Sequence, residues 1–285
     1  MVNVKIKYLF EIFTFLLISF QSAFFFVEKD ILTYTIILIL SSTLYLAFVY
    51  LLLKVNIGNN KLLLLLSILF ISKIFFTNIE PIGSDDYYRY IWDGKVQADG
   101  INPYQYAPND SLLKHLHSEL LPAKVSYPKI KTIYFPVSQW LFTLSYWLSG
   151  ENATGLKIFY LLFELIILIS LLPLLKNFSI DRKYILIYVA LPLITFQYFI
   201  DAHIDIVGVA LMISSITLYF YNKKLLSYIL LGLSVSVKPT GYLLIPFLFQ
   251  NEIDFKEKIK SIFIPMLVFV ITFLPYIFTA TPLGT

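Results

Sequence analysis

The sequence predicts an all-α polytopic membrane protein, and its composition and its pattern of apolar runs support that prediction. The 285 residues are 58% hydrophobic and 14% charged, whereas soluble domains carry about 25% charged residues. The mean hydropathy is +0.77. Long apolar runs alternate with short basic clusters, the arrangement that sets the topology of membrane helices. Because the net charge of +4 is not gathered in a basic stripe, nucleic acid is not an expected partner.

Seven apolar runs are candidate membrane spans, since a helix needs about 20 residues to cross a bilayer. They cover residues 8–27, 31–53, 62–79, 156–175, 184–200, 205–221 and 261–279. The first run is not followed by a small-residue cleavage site, so we expect it to remain as an uncleaved span. A further run, 225–250, is interrupted by KPTG at 238–241. Because proline ends or kinks a helix, we expect two short helices forming a hairpin there.

Basic clusters between the runs orient the chain. They occur at residues 5–7, 54–61, 182–183, 223–224 and 256–260. If these clusters are cytoplasmic, the polar loop 80–133 is external, and so is DAHID at 201–205. This orientation requires that segment 134–149, YFPVSQWLFTLSYWLS, should lie at the interface without crossing.

The long loop contains a predicted helix. Ser84 is the expected N-cap, two aspartates follow in the first turn, and Gly100 and Pro103 end the helix. Helical spacing divides its side chains into a polar and an aromatic-aliphatic face. The polar face carries Asp86, Arg89, Asp93 and Gln97, and the other carries Tyr88, Trp92 and Val96. We therefore expect an amphipathic helix lying on the membrane surface.

The acidic pair at the start of this helix has two interpretations. Asp85 and Asp86 could complement the helix dipole, each contributing about 0.3–1 kcal/mol. Alternatively one of them is a general base, because adjacent carboxylates disfavour simultaneous ionisation and one pKa rises. Arg89 could likewise form surface ion pairs with Asp86 and Asp93, or its guanidinium could bind a phosphate.

Three charged or titratable residues outside the loop are further candidates. Lys238 lies at the break in the apolar hairpin, where it could contact an anion or extend its ammonium group to the membrane surface. His203 and Asp205 could form a polar wall of the active cavity. They could instead bind a metal, but with two ligands and no third in view we favour the polar wall. The sequence contains no cysteine, so thiolate chemistry is excluded.

Several of these segments resemble a known enzyme family. GSDDYYRYIWDGKVQADGINPYQYAP, from residue 83 to 108, resembles the first external loop of bacterial membrane glycosyltransferases of the GT-C superfamily. It is most similar to mannosyltransferase-like members that use polyprenol-phosphate hexoses. IYFPVSQWLF at 133–142 resembles their Y-P-P-x-x-Q-x-x-F segment, with Phe135 in place of the first proline. HID at 203–205 resembles H-x-D, and VKPTG at 237–241 resembles V-K-P.

The resemblance implies a GT-C-like helical bundle with one long external loop and amphipathic interfacial helices, a single transmembrane domain over residues 1–285. It implies inverting transfer of a hexose from a polyprenyl-phosphate donor to an acceptor hydroxyl at the outer membrane face. The general base would be Asp86 or Asp85, and we favour Asp86 because it shares a face with Arg89. Residues expected to bind substrate are Arg89, Tyr90, Trp92, Asp93, Lys238, His203 and Asp205.

The resemblance also sets the expected partners and location. The expected partners are the lipid-linked donor, membrane lipid, and an acceptor that is a glycan, a lipid or a protein. The expected location is a bacterial inner membrane, which the chain crosses several times. No particular cofactor is expected, and a divalent cation is left open. The sequence ends at PYIFTATPLGT, just after a span, whereas such enzymes continue through more helices, so we expect the chain to be C-terminally incomplete.

A transporter or flippase for a lipid-linked sugar or another anion is the alternative function. Transporters also use broken helices and charged residues near the midplane of the membrane. In this sequence, however, the acids cluster in one external loop and no inverted repeat is visible. The sequence therefore favours an enzyme.

Overall fold

The computed structural model describes residues 4–26 and 29–278, and within those ranges the regular secondary structure is helical. The predicted all-α class is therefore confirmed. The α-helices are α1 (Val4–Ala23), α2 (Ile31–Lys54), α3 (Asn59–Ile74), α4 (Asp86–Ala98), α5 (Pro136–Ser149), α6 (Thr154–Asn177), α7 (Ile185–Val189), α8 (Pro192–Ile194), α9 (Asp205–Phe220), α10 (Lys224–Val235), α11 (Leu244–Asn251), α12 (Phe255–Thr272) and α13 (Leu274–Phe278). Short 3₁₀ segments and one π-helix, Thr195–Ile200, connect some of them.

Among the described residues, five helical segments are long and apolar enough to cross a membrane. They are Val4–Ala23, Ile31–Lys54, Asn59–Asn78, Thr154–Asn177 and Phe255–Ile277. These correspond to five of the seven predicted spans, although residues 27 and 279, the predicted ends of the first and last spans, lie outside the described ranges. Asp30 caps α2 by accepting hydrogen bonds from the N–H groups of Leu32 and Thr33, which explains why that span begins where predicted.

The predicted span 184–200 is wrong as a single continuous helix. Its two halves, Arg182–Val189 and Pro192–Ile200, meet at a bend of 50°. Leu191 has an extended backbone, with φ −64° and ψ 117°, because a residue before proline is driven out of the helical region. The bent pair could still form one broken span, which would make six.

The remaining apolar segments are short. The segment predicted as a span at 205–221 forms α9, which has 16 residues. Such a helix is about 24 Å long, which is shorter than the thickness of the hydrocarbon core of a bilayer. The predicted pair of short helices in 225–250 is confirmed by α10 and α11. Glu252, just after α11, forms an ion pair with Lys224 at 2.5 Å and accepts a hydrogen bond from Tyr228 at 2.8 Å. These contacts bring the end of α11 back to the start of α10, as in a hairpin.

The chain folds into two compact units, each built from two stretches of sequence. The first unit comprises Met1–Ser84 and Leu175–Ala202. Within it, Asp201 is buried and accepts hydrogen bonds from the Tyr34 hydroxyl at 2.5 Å and from the Gly83 N–H at 2.8 Å. Asp201 therefore serves to join distant parts of the first unit.

The second unit comprises Asp85–Leu174 and His203–Thr285 and contains α4 and α5. Two details predicted for α4 are wrong. The N-cap is Asp85, not Ser84, and its side chain makes no capping hydrogen bond. The helix is also not divided into an exposed polar face and a membrane face, because polar Arg89 and Asp93 are buried as fully as apolar Trp92 and Val96. The burial arises because α4 packs against α5 and the surrounding loop, which helical periodicity alone does not reveal.

Close packing of α4 on α5 depends on Gly94. A Cβ atom at this position would lie 2.3 Å from the carbonyl oxygen of Phe142. We expect Gly94→Ala to lower the free energy of unfolding by about 1–3 kcal/mol, because backbone atoms must move to make room. Thermal unfolding in detergent measures this, with Gly58→Ala as the control, since no atom lies within 4 Å of a Cβ there. Equal stability of the two variants would contradict the packing.

Candidate active site

The structure distinguishes the two acids at the start of α4. Asp86 is the first residue of the helix and its side chain is 47% exposed, while Asp85 lies on the surface. Nδ1 of His203 lies 3.8 Å from Oδ2 of Asp86. Asp86 also borders a cavity that Asp85 does not border. Of the two candidate bases, Asp86 is therefore the one beside a space that could hold a substrate.

The cavity at Asp86 has a volume of about 270 Å³. Its wall consists of two residues of α4 and a stretch of the long loop. The lining residues are Asp86, Arg89, Ser126, Tyr127, Ile130, Lys131, Ile133 and Tyr134. One carboxylate, two cations and several apolar or aromatic side chains therefore surround one space, which suits an anionic ligand that also has apolar surface.

Arg89 is held from two sides beneath this cavity. Its Nε donates to Oδ1 of Asp93 at 2.8 Å, and its Nη1 donates to the carbonyl oxygen of Ile130 at 2.9 Å. Nη2 is buried and makes no hydrogen bond within the described part of the chain. The ion pair with Asp93 expected from helical spacing is present, but it is buried rather than on the surface. The unused nitrogen is a donor that an incoming anion could satisfy.

Asp93 lies behind Arg89 and does not border the cavity. It is 2% exposed and accepts a second hydrogen bond, from Nε2 of Gln139 at 2.9 Å. Burial raises the pKa of Asp93 above its usual range, although Arg89, Thr132 and Gln139 oppose the rise. Asp93 therefore acts on Arg89 and has no direct path to a ligand in the cavity.

Tyr90 and Trp92, predicted to bind substrate, are both buried and do not border the cavity. The Tyr90 ring stacks on Phe142, with centroids 4.6 Å apart, and meets Tyr134 edge-on at 5.0 Å. Trp92 packs edge-on against His117 at 5.9 Å. Both rings support the helix that carries Asp86 and Arg89.

The other predicted residues form a separate charged pair. Nζ of Lys238 lies 2.7 and 2.6 Å from the two carboxylate oxygens of Asp205. Both side chains are about one-third exposed, at 31% and 36%. In the HID segment, His203 lies close to Asp86. The structure thus brings Asp86, Arg89 and His203 together, and it gives Lys238 a carboxylate partner of its own.

Several residues at the site escaped sequence reasoning. Tyr134 and Gln139 lie in IYFPVSQWLF, whose resemblance to a family motif was the only signal that could have found them. Tyr127 and Lys131 lie in irregular loop and carried no signal. Burial raises the pKa of Tyr134 to about 12, and the Asp86 carboxylate adds to the rise. The Tyr134 phenol is therefore neutral at physiological pH and keeps its proton as a hydrogen-bond donor.

In the ranges that the structure describes, His, Cys, Asp and Glu side chains form no group of three or more that could hold a metal ion. The acid that lines the cavity is Asp86, and the cations that line it are Arg89 and Lys131.

These features define a class of protein: a multi-pass, all-α membrane protein whose long loop between spans carries a cavity lined by charged side chains. Comparison with known families then identifies the family. The chain belongs to the alpha-(1->6)-mannopyranosyltransferase family, whose N-terminal-domain model matches residues 17–251. This is a mannosyltransferase family of the GT-C type, so the chain is a membrane glycosyltransferase that uses a sugar donor and a glycan acceptor. No curated protein and no solved structure matches the chain.

Proposed function

We propose that this protein transfers mannose from a polyprenyl-phosphate donor to an acceptor hydroxyl at the outer face of a bacterial inner membrane, with inversion. The observation that carries the proposal is the shared cavity of Asp86 and Arg89. A carboxylate can activate the acceptor, and a guanidinium can receive the leaving phosphate. Ile130 and Ile133 in the same wall suit a donor whose phosphate is attached to a lipid.

The proposed reaction transfers one proton, forms one bond at the anomeric carbon and breaks another. Asp86 takes the proton of the acceptor hydroxyl as its oxygen attacks the anomeric carbon of the sugar. The bond from that carbon to the phosphate oxygen breaks, and polyprenyl phosphate leaves with the electron pair. Arg89 and Lys131 stabilise the negative charge that develops on the phosphate. If the product is an α-(1→6) linkage, as the family description states, inversion requires a β-linked donor.

His203, Asp205 and Lys238 have supporting roles in this proposal. His203 lies beside Asp86 and can accept or donate a hydrogen bond to the acceptor or to the carboxylate. Lys238 is a second candidate contact for the donor phosphate. We assign the first phosphate contact to Arg89, because Arg89 lines the cavity at Asp86 and has one nitrogen without a hydrogen bond in the described part of the chain, whereas Lys238 does not line that cavity.

The experiment that tests the proposal compares two classes of donor. Purified full-length protein in lipid vesicles is given mannose linked either to a polyprenyl phosphate or to a nucleotide. We expect glycosidic product only from the lipid-linked donor, because the described chain offers an apolar and cationic cavity for it. Product formed from the nucleotide sugar alone would refute the proposed donor.

Tyr127 is the proposed platform for the sugar ring. Tyr127 lines the cavity, the residue is 76% exposed, and its backbone has φ +55°, a conformation unfavourable for a tyrosine. We expect Tyr127→Asn to weaken donor affinity by about two- to tenfold, since stacking on the apolar face of a pyranose is lost. The stability of the Tyr127→Asn variant should be unchanged or higher, because asparagine tolerates a positive φ angle. Tyr127→Phe should retain affinity, and an equal loss in both variants would contradict stacking.

The orientation of the long loop has its own test. Asp110 in that loop should be external and Asn222, after α9, cytoplasmic, because basic clusters favour the cytoplasm. The chain has no cysteine, so Asp110→Cys and Asn222→Cys each create a single target for an impermeant thiol reagent. In intact cells we expect labelling at position 110 only. Labelling at 222 only would place the candidate site on the opposite side of the membrane.

A further inference from the structure

A chain of buried hydrogen bonds lies behind Arg89 and centres on Gln139 in α5. Gln139 is fully buried, and its Nε2 donates to Oδ2 of Asp93 at 2.9 Å and to Oγ1 of Thr132 at 2.7 Å. Its Oε1 accepts a hydrogen bond from Nε2 of Gln97 at 2.7 Å. The reverse orientation of the amide would place its oxygen against the Asp93 carboxylate, so this orientation is the one that electrostatics favours.

Asp93 is the bridge between Gln139 and the arginine. One carboxylate oxygen accepts from Gln139, and the other accepts from Nε of Arg89. Because Nη1 of Arg89 is bonded to the carbonyl oxygen of Ile130, the plane of the guanidinium is fixed at two points. The nitrogen left without a hydrogen bond, Nη2, belongs to the residue that lines the cavity.

The same network reaches the loop residues of the cavity wall. Thr132 and Ile130 belong to the loop stretch that contributes Tyr127, Lys131 and Tyr134. Thr132 is bonded to Gln139 and Ile130 to Arg89. The Gln139 amide therefore helps to hold both the arginine and the loop stretch that lines the cavity with it.

We infer that Gln139 is a positioning residue, which acts through Asp93 to hold the Arg89 guanidinium toward the donor phosphate. The inference rests on the proposed function, since it names how that site prepares its cation. A long arginine side chain samples many rotamers, and holding it in place before binding improves affinity for a phosphate. A residue needed only to pack α5 on α4 could be apolar, as Phe142 is. A buried amide is tolerated here because both N–H groups and the oxygen of its side chain take part in hydrogen bonds.

The test measures binding of farnesyl phosphate to the purified full-length protein, with farnesol as the uncharged reference. We expect Gln139→Met, which keeps most of the side-chain volume, to weaken farnesyl phosphate binding about tenfold and to leave farnesol binding unchanged. Arg89→Gln should weaken farnesyl phosphate binding at least as much. The double variant should bind no more weakly than Arg89→Gln alone, because Gln139 acts through Arg89.

Ser138 provides the matched control. It is the neighbouring residue in α5, is equally buried, and donates its hydroxyl to the carbonyl oxygen of Val237 at 3.0 Å. Ser138→Ala should lower thermal stability yet leave farnesyl phosphate affinity unchanged. Unaltered farnesyl phosphate affinity in Gln139→Met, or additive losses of that affinity in the double variant, would overturn the positioning role of Gln139. Either result would leave the proposed function standing. Equal binding of farnesol and farnesyl phosphate by the wild-type protein would overturn the proposed function, and the inference with it.

Discussion

Asp86→Asn is expected to lower turnover by about 10²–10⁴-fold, the usual loss when a general base is removed. Asparagine keeps the shape of the side chain but cannot take the acceptor proton. Donor affinity should be nearly unchanged, because Arg89 and Lys131 still line the cavity. Initial rates at saturating donor, together with the dissociation constant of the donor, separate the chemical step from binding.

Asp85→Asn is the matched control for this variant. Asp85 neighbours Asp86 in sequence and carries the same charge at the start of the same helix, but it does not border the cavity. We expect its loss of turnover to be much smaller. If both variants keep wild-type turnover, the acidic pair serves only to begin the helix, and the assignment of Asp86 as the base is wrong.

Arg89→Met is expected to lower the free energy of unfolding by about 3–5 kcal/mol, in addition to weakening donor binding. The side chains of Arg89 and Asp93 are 9% and 2% exposed and form a close ion pair. Removing one partner leaves a buried charge without compensation, which is strongly destabilising. Denaturant unfolding in detergent measures the loss. The double variant Arg89→Met/Asp93→Leu should lose less stability than Arg89→Met, because no unpaired carboxylate remains.

The loss in Arg89→Met should also depend on pH. Burial already raises the folded-state pKa of Asp93, and removal of the arginine should raise it further. The unfolded chain then releases this proton more readily than the folded chain. The stability of the variant should therefore fall as pH rises above the usual aspartate pKa of about 3.9. A deficit no larger at pH 8 than at pH 5 would contradict the burial of an unpaired Asp93.

Much of the fold follows from the sequence because membrane spans are long and uniformly apolar. The segments with the longest apolar runs, such as α2 and α6, were predicted within a few residues. The run 184–200 was misjudged because Pro192 breaks it, although its composition alone resembles a span. The hairpin at 225–250 was predicted correctly from the same physical effect of proline. Proline thus explains one success and one error.

The site was only partly predictable. Asp86 and Arg89 were found because they share a helical face and because their loop resembles a family motif. Periodicity also indicated that α4 lies on the membrane surface. It did not indicate that the polar side chains Arg89 and Asp93 are buried. Gly94 admits α5 close to α4, and this contact is made between residues distant in sequence. Gln139 and Lys131 join the site through such tertiary contacts. The family motif around Gln139 gave no indication of its hydrogen bonds, and no local pattern pointed to Lys131.

Release of polyprenyl phosphate is the measurement that tests the central claim most directly. Purified wild-type protein in lipid vesicles is incubated with a labelled polyprenyl-phosphate mannose and a mannoside acceptor. The released lipid phosphate and the glycosidic product are then quantified. We expect equal amounts of the two from the wild-type protein and at most about one-hundredth of that rate from Asp86→Asn. Lipid-linked mannose that crosses the vesicle membrane intact, with no lipid phosphate released, would contradict the transferase and favour a transporter.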